Sequence, residues 1–264
     1  MIKKAVNIIL WIMLSISILA LLGFVEHERK TLPCNAIQIN IDESNEMFFI
    51  DKNDILELVK LNGDSIIGES MNEIDIYKLE KIINRHPSVE NAHVYANLNG
   101  TLNIEVKQRT PLVRIFSMTG ESFYIDKLGY FMPLSEKYTA RVPVANGYIF
   151  EKYAPNAEIT IYDILSNDSI ATKTIIDDVF IIADFVSKDK FWNAQIDQIY
   201  VNVDRDIELI PRVGNHTIVF GTAEEMTEKF EKLLLFYKKA LPAVGWNEYK
   251  TINLKYKDQI ICSK

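Results

Sequence analysis

Between Ala5 and Val25 the chain runs twenty-one residues without a charge, directly after Lys3 and Lys4, and no comparable stretch follows. A helix rises about 1.5 Å per residue, so this run would span roughly 30 Å, the thickness of a bilayer hydrocarbon core. The pattern predicts one transmembrane helix over 5–25, a cytoplasmic tail of residues 1–4 and a tether of residues 26–35. A cleaved leader would have a shorter apolar region and a small-x-small exit, which Leu22, Gly23, Phe24 and Val25 do not supply. Lys3, Lys4 and the terminal amine outweigh Arg29 and Lys30 by one charge, which sets the N-terminus in the cytoplasm and the bulk of the chain outside.

Past the tether the periodicity changes. Ile37, Ile39 and Ile41 alternate with polar residues, as a half-buried strand requires. Asp51 is placed to cap a helix over Lys52 to Lys60 with Ile55, Leu56 and Val59 on one face, and Asp75 to cap a second with Leu79, Ile82 and Ile83 inward. His86-Pro87 stops that helix, because the residue before proline is pushed out of helical geometry. Strands follow over Val89 to Asn97 and Thr101 to Lys107, and Asn99-Gly100 between them predicts a type I′ hairpin. This order reads as a compact domain over 36–107, a small sheet with two helices on one face.

Gln108-Arg109-Thr110-Pro111 breaks the pattern and opens a second, strand-rich domain over 108–264. Turns are expected at Thr119-Gly120 and Leu128-Gly129, and a helix from about Ala171 to Ser187 with Ile175, Ile176, Val179, Ala183 and Val186 inward. Strands from Ile196 to Asn202, Ile207 to Pro211 and His216 to Phe220 lead to a helix opened by a Thr222 to Glu225 capping box. Met226, Phe230, Leu233, Leu234, Tyr237 and Leu241 share one face of that helix, a core stripe rather than a cofactor box. The last long strand, Thr251 to Lys257, sets Ile252, Leu254 and Tyr256 opposite Asn253, Lys255 and Lys257, and a very short strand follows over Ile260 to Cys262. The fold class is α+β: a β-α-α-β-β domain, then a β domain with two packed helices, all behind the single membrane helix.

Charge and chemistry narrow the function. With 29 basic and 36 acidic side chains the net charge is -7, and the small clusters Lys238-Lys239 and Lys255/Lys257 are solvated faces, so no nucleic-acid partner is expected. Cys34 and Cys262 would permit one disulfide in an oxidising compartment but do not require it. No G-x-S-x-G or phosphate-cradling loop occurs, and His27, His86, His93 and His216 share no metal-ligand spacing. Asp177-Asp178 and Asp204-Arg205-Asp206 read as solvated carboxylates. No catalytic residue, cofactor, metal or small-molecule substrate is expected, and the balance moves toward a binding protein.

Several motifs resemble the bacterial cell-division family FtsQ, also called DivIB. His86-Pro87-Ser88-Val89-Glu90-Asn91-Ala92-His93-Val94 is similar to the family's H-P-x-V-x-x-A-x-V, and Gln108-Arg109-Thr110-Pro111 to its E-R-x-P with Gln for Glu. Tyr124-Ile125-Asp126 with Gly129 resembles Y-x-x-D-x-x-G, and Val142-Pro143 with Gly147 resembles L-P-x-x-x-G. The resemblance implies a POTRA (polypeptide-transport-associated) domain over 36–107, a β domain after it, and a non-enzymatic division scaffold at the septum that binds FtsB-like and FtsL-like partners. Lys255 and Tyr256 match the family's partner-contacting pair, and Ile252 and Leu254 on the same strand complete the implied partner-binding residues. An open sheet edge suits that role, since unpaired backbone groups accept an added strand. The alternative the same resemblance raises is a chaperone or transport module for exported proteins.

Overall fold

A computed structural model describes residues 10–21, 32–42, 47–60, 65–153, 160–166 and 174–264. The chain divides into two compact units, Met1–Gln108 and Arg109–Lys264.

In the first unit, residues 10–21 form helix α1, on which Leu10, Trp11, Ile12, Met13, Leu14, Ile16, Ile18, Leu19 and Leu21 are all exposed. Among the described residues no helix is long and apolar enough to cross a membrane. The rest of the uncharged run, 5–9 and 22–25, lies outside the described residues, as do the tail 1–4 and tether residues 26–31.

Strand β1 (Ala36–Ile41) is followed by α2 (Lys52–Lys60), α3 (Ile76–Asn84), β2 (Val89–Ala96) and β3 (Thr101–Gln108). The caps act as expected: Asp51 Oδ1 accepts from the N–H groups of Asn53 and Asp54, and Asp75 accepts from Lys78 N–H at 2.9 Å. The three strands order β1-β3-β2, with β1 parallel and β2 antiparallel to the central β3. Ile39, Ala92, Val94, Leu102, Ile104 and Val106 meet Ile55, Val59, Leu79 and Ile83 of the helices in one core.

The β2–β3 connection departs from the expected type I′ turn. Only Gly100 has positive φ, +81°, and Asn97 N–H is bonded to Thr101 O, the geometry of a longer loop closed by a left-handed glycine. A Cβ at Gly100 would stand 2.6 Å from Pro33 O, so glycine is required there for space as well as φ.

At the end of β3, Gln108 is 2 % exposed. Its Oε1 accepts from Phe49 and Ile50 N–H, and its Nε2 donates to Met47 O at 2.9 Å. Both ends of the carboxamide are used, so the glutamine that departs from the family motif is the residue this pocket needs.

Among the described residues, the second unit is a nine-stranded sheet in the order β12-β11-β10-β9-β8-β7-β4-β5-β6. Its strands are β4 (Pro111–Phe116), β5 (Ser122–Asp126), β6 (Phe131–Met132), β7 (Val144–Gly147), β8 (Ile196–Val201), β9 (Ile207–Pro211), β10 (Thr217–Gly221), β11 (Thr251–Asn253) and β12 (Ile261–Ser263). The helices are α4 (Ile161–Leu165), α5 (Ile176–Lys188), α6 (Lys190–Gln195), α7 (Met226–Lys239) and α8 (Leu241–Val244). β7 runs parallel to both β4 and β8, and β11 runs parallel to β10. Parallel neighbours cannot be joined by a tight turn, which is why α4–α6 lie between β7 and β8 and α7–α8 between β10 and β11.

The inward residues expected of α5 are buried, as are Phe230, Leu233, Tyr237 and Leu241 of α7 and α8, while Met226 and Leu234 are partly buried. α5 begins at Ile176 rather than near Ala171, and residues 171–173 lie outside the described residues.

The expected Thr222–Glu225 capping box is absent. Glu225 sits in the left-handed region at φ 50° and no side chain caps the helix. The buried ammonium of Lys229 instead donates to Thr222 O at 2.9 Å and lies 5.1 Å from the Phe220 ring. Burial pushes that lysine's pKa below its ordinary value.

Two family motifs meet here. Arg109 Nη1 donates to Asp126 Oδ2 at 2.9 Å, and its guanidinium lies 4.0 Å over the Tyr130 ring. Asp126 Oδ1 accepts from Leu128 and Tyr130 N–H, closing the turn at Gly129. Burial pushes the Asp126 carboxyl up, and Arg109 and these N–H groups oppose it. At β7, Gly147 has φ +95°, and a Cβ there would come within 2.1 Å of Val201 O. Between the sheet and α7, His216 Nε2 lies 2.7 Å from the Tyr237 hydroxyl, and burial pushes its pKa down.

Candidate functional site

The terminal strands were expected to expose the ribbon Thr251–Lys257, but the pairing corrects that. β11 covers only Thr251–Asn253 and is held on both sides, parallel to β10 and antiparallel to β12. Thr251, Ile252 and Asn253 face Ser263, Cys262 and Ile261 respectively. The rim of the sheet is β12. The cause is the crossover: α7 and α8 deliver β11 beside β10, and the chain then turns through Asp258, at φ 59°, and folds back onto the strand's other side.

The four expected partner-binding residues separate accordingly. Ile252 and Leu254 are fully buried and pack with Ile218, Phe220 and Leu233, so their side chains support the edge from below. Leu254 N–H still bonds Val219 O at 2.9 Å, but the strand ends there, because Asn253 Oδ1 takes the N–H of Lys255. Lys255 and Tyr256 stand in the turn leading to β12. Tyr256 is 49 % exposed, and its carbonyl accepts from Lys232 Nζ at 3.0 Å. Lys255 Nζ pairs with Asp206, which raises the lysine's pKa, and its aliphatic stem packs on Gly221.

The residues missed by sequence reasoning are those of the rim itself. Ile261 is 45 % exposed, Cys262 is half-buried, and Ser263 is exposed with its hydroxyl 2.5 Å from Thr251 Oγ1. Lys250 N–H donates to Ser263 O, and Lys264 pairs with Glu248, so β12 is clamped onto β11 at its far end. The available signal was the apolar run Ile260-Ile261-Cys262 after a polar turn, which marks a strand without giving its side of pairing. Cys34, buried in the first unit, and Cys262 are both free thiols, and burial raises the pKa of each.

What this arrangement can do is pair backbone. Three residues at about 3.3 Å each give a template of roughly 10 Å, with lysines 250, 255, 257 and 264 around it. Charged residues of this kind discourage indiscriminate pairing at an edge. No group of His, Cys, Asp and Glu that could hold a metal is found among the described residues.

Comparison with known families agrees with the division into units. A family described as FtsQ/DivIB, C-terminal related, matches residues 110–263, and one described as POTRA-like domain matches residues 32–107. No curated protein matches the chain.

Proposed function

We propose, because this chain belongs to the FtsQ/DivIB C-terminal-related family, that it is a membrane-anchored cell-division scaffold whose β12 rim takes a strand from an FtsB-like or FtsL-like partner. Proteins of this family are generally non-enzymatic division scaffolds. The observation that carries the partner reading is the position of β12 at the end of the nine-stranded sheet, with one side paired to β11 and the other to no described strand. Main-chain pairing on that side supplies affinity, and Tyr256 and Lys255 beside it supply side-chain discrimination.

The anchor rests on the uncharged run over 5–25 and on α1, whose apolar side chains are exposed around the helix. Such a surface is costly in water and favourable in lipid. The scaffold would then act outside the cytoplasm at the division site, linking its partners to septal peptidoglycan synthesis.

The test is partner capture by the full chain in detergent. Cys262→Pro removes the backbone donor that faces away from β11, since Ile261 and Ser263 are the residues turned toward Asn253 and Thr251, and Tyr256→Glu and Lys255→Glu alter only side chains. The proline variant is expected to lose about tenfold or more in affinity, with smaller losses for the other two. If folded Cys262→Pro protein still captures FtsB-like and FtsL-like partners at full affinity, β12 is not the docking rim. The POTRA-like match also leaves a transport module as an outcome: depletion should give filamentous cells with unconstricted septa, whereas outer-membrane defects with normal septa would favour transport.

A further inference from the structure

Sheet edges differ in whether their backbone groups are available. In the first unit, β2 is an edge strand, since the sheet is ordered β1-β3-β2. Alternate residues of an antiparallel strand direct their N–H and C=O groups toward the neighbour and away from it, so one set on β2 should be free to pair with an incoming strand.

It is not free. Ala92 N–H donates to Asn84 Oδ1 at 2.8 Å, and Asn84 Nδ2 donates to Ala92 O at 3.2 Å. One carboxamide therefore offers Ala92 the donor and acceptor that a peptide group of an adjacent strand would offer. Two residues on, Val94 N–H donates to Glu80 Oε2 at 3.0 Å. Both side chains come from α3, one helical turn apart, and Asn84 Nδ2 is steadied by a second bond to Glu80 O at 2.9 Å. The Glu80 carboxylate also lies 3.6 Å from His93 Nδ1.

We infer that Asn84 and Glu80 act as a surrogate strand that keeps the β2 edge of the POTRA-like unit shut against strand addition, by a partner or by a second copy of this chain. An incoming strand would have to break three hydrogen bonds before forming its own. β12 has no described side chain standing in for a neighbour in this way, so the two units differ in kind: one edge closed from within, one open. The inference does not depend on what binds β12.

Amide-resolved hydrogen exchange on the full chain in detergent tests it directly, because each relevant amide can be read separately. In the wild type, Ala92 and Val94 should be protected although no described strand lies beside them. In Asn84→Ala/Glu80→Ala, those two amides should exchange about tenfold faster or more, while His93 and Tyr95, which face β3, keep their protection. Glu80→Gln retains an acceptor and should leave Val94 protected, which separates loss of the cap from general loosening. The uncapped variant should also self-associate in sedimentation analysis where the wild type does not. Fast exchange at Ala92 and Val94 in the wild type would overturn the inference. So would unchanged exchange in the double variant, loss of Val94 protection in Glu80→Gln, or an uncapped variant that stays as monomeric as the wild type.

Discussion

Replacing Arg109 by alanine measures how far the second unit rests on one ion pair. The Arg109 and Asp126 side chains keep only 12 % and 1 % of their exposure. Without the guanidinium, Asp126 retains its two N–H donors from Leu128 and Tyr130 but has no countercharge. Breaking a buried pair on one side typically costs about 3–5 kcal/mol, a large part of the roughly 5–15 kcal/mol that holds a domain folded. The loss should also depend on pH. Burial already raises the Asp126 pKa, and Arg109 is the first of the contacts that oppose it, so in Arg109→Ala the carboxyl rises further. A group whose folded pKa lies above its unfolded value stabilises the fold below the unfolded value and loses that contribution as pH rises through the folded one. The deficit of Arg109→Ala relative to wild type should therefore be larger near pH 7.5 than near pH 4.5. Urea unfolding of the full chain in detergent, followed through Trp192 and Trp246, reads both quantities. A deficit below about 1 kcal/mol, or one equal at the two pH values, would refute the reasoning. In cells the variant should lower abundance rather than partner affinity, since the pair touches no candidate edge.

Three further outcomes follow from the same geometry. Gln108→Glu should destabilise the first unit by about 2–3 kcal/mol near neutral pH, because it sets a buried carboxylate against Met47 O in place of a donor; thermal unfolding at neutral and acid pH checks it, the deficit shrinking as the acid protonates. Gly147→Ala should cost about 2 kcal/mol or more, combining a left-handed φ with the approach to Val201 O, and a variant with unchanged denaturant midpoint would contradict it. His216, whose folded pKa is depressed by burial, should support the fold above its ordinary value near 6.5 and lose that support as pH falls below it; His216→Gln should flatten the stability profile between about pH 7 and 5.

Local chemistry made much of the fold readable. The Asp51 and Asp75 caps, the proline stop after α3 and the alternating strands of the first unit depend on neighbours a few residues away, and all appear where the pattern puts them. Failures occurred where distant residues decide. The Thr222–Glu225 box is lost because Glu225 takes a left-handed φ of 50° and itself stands at the N-cap, while the buried Lys229 ammonium holds the Thr222 carbonyl. The Asn99-Gly100 turn lengthened because Gly100 packs against Pro33 and Asn35. The rim was assigned to the wrong strand for the same reason: the alternation of Thr251–Lys257 says which face is apolar, but only the crossover through α7 and α8 decides that both sides of β11 are taken. The alternation set Tyr256 with Ile252 and Leu254 on the apolar face, but the strand ends where Asn253 Oδ1 takes the Lys255 N–H, so Tyr256 is exposed in the turn while the other two are fully buried.

The middle of the large sheet carries a kinetic consequence. β4 meets β7 and β7 meets β8, each in parallel and each only after an intervening stretch of chain has been brought around. Loop-closure entropy must be met before such contacts give any return, and proteins dominated by distant pairings fold in milliseconds to seconds rather than microseconds. The β4–β5 and β8–β9–β10 hairpins can form from adjacent residues, but only the parallel β4–β7–β8 contacts join them into one sheet, so completion of the second unit on refolding should be slow.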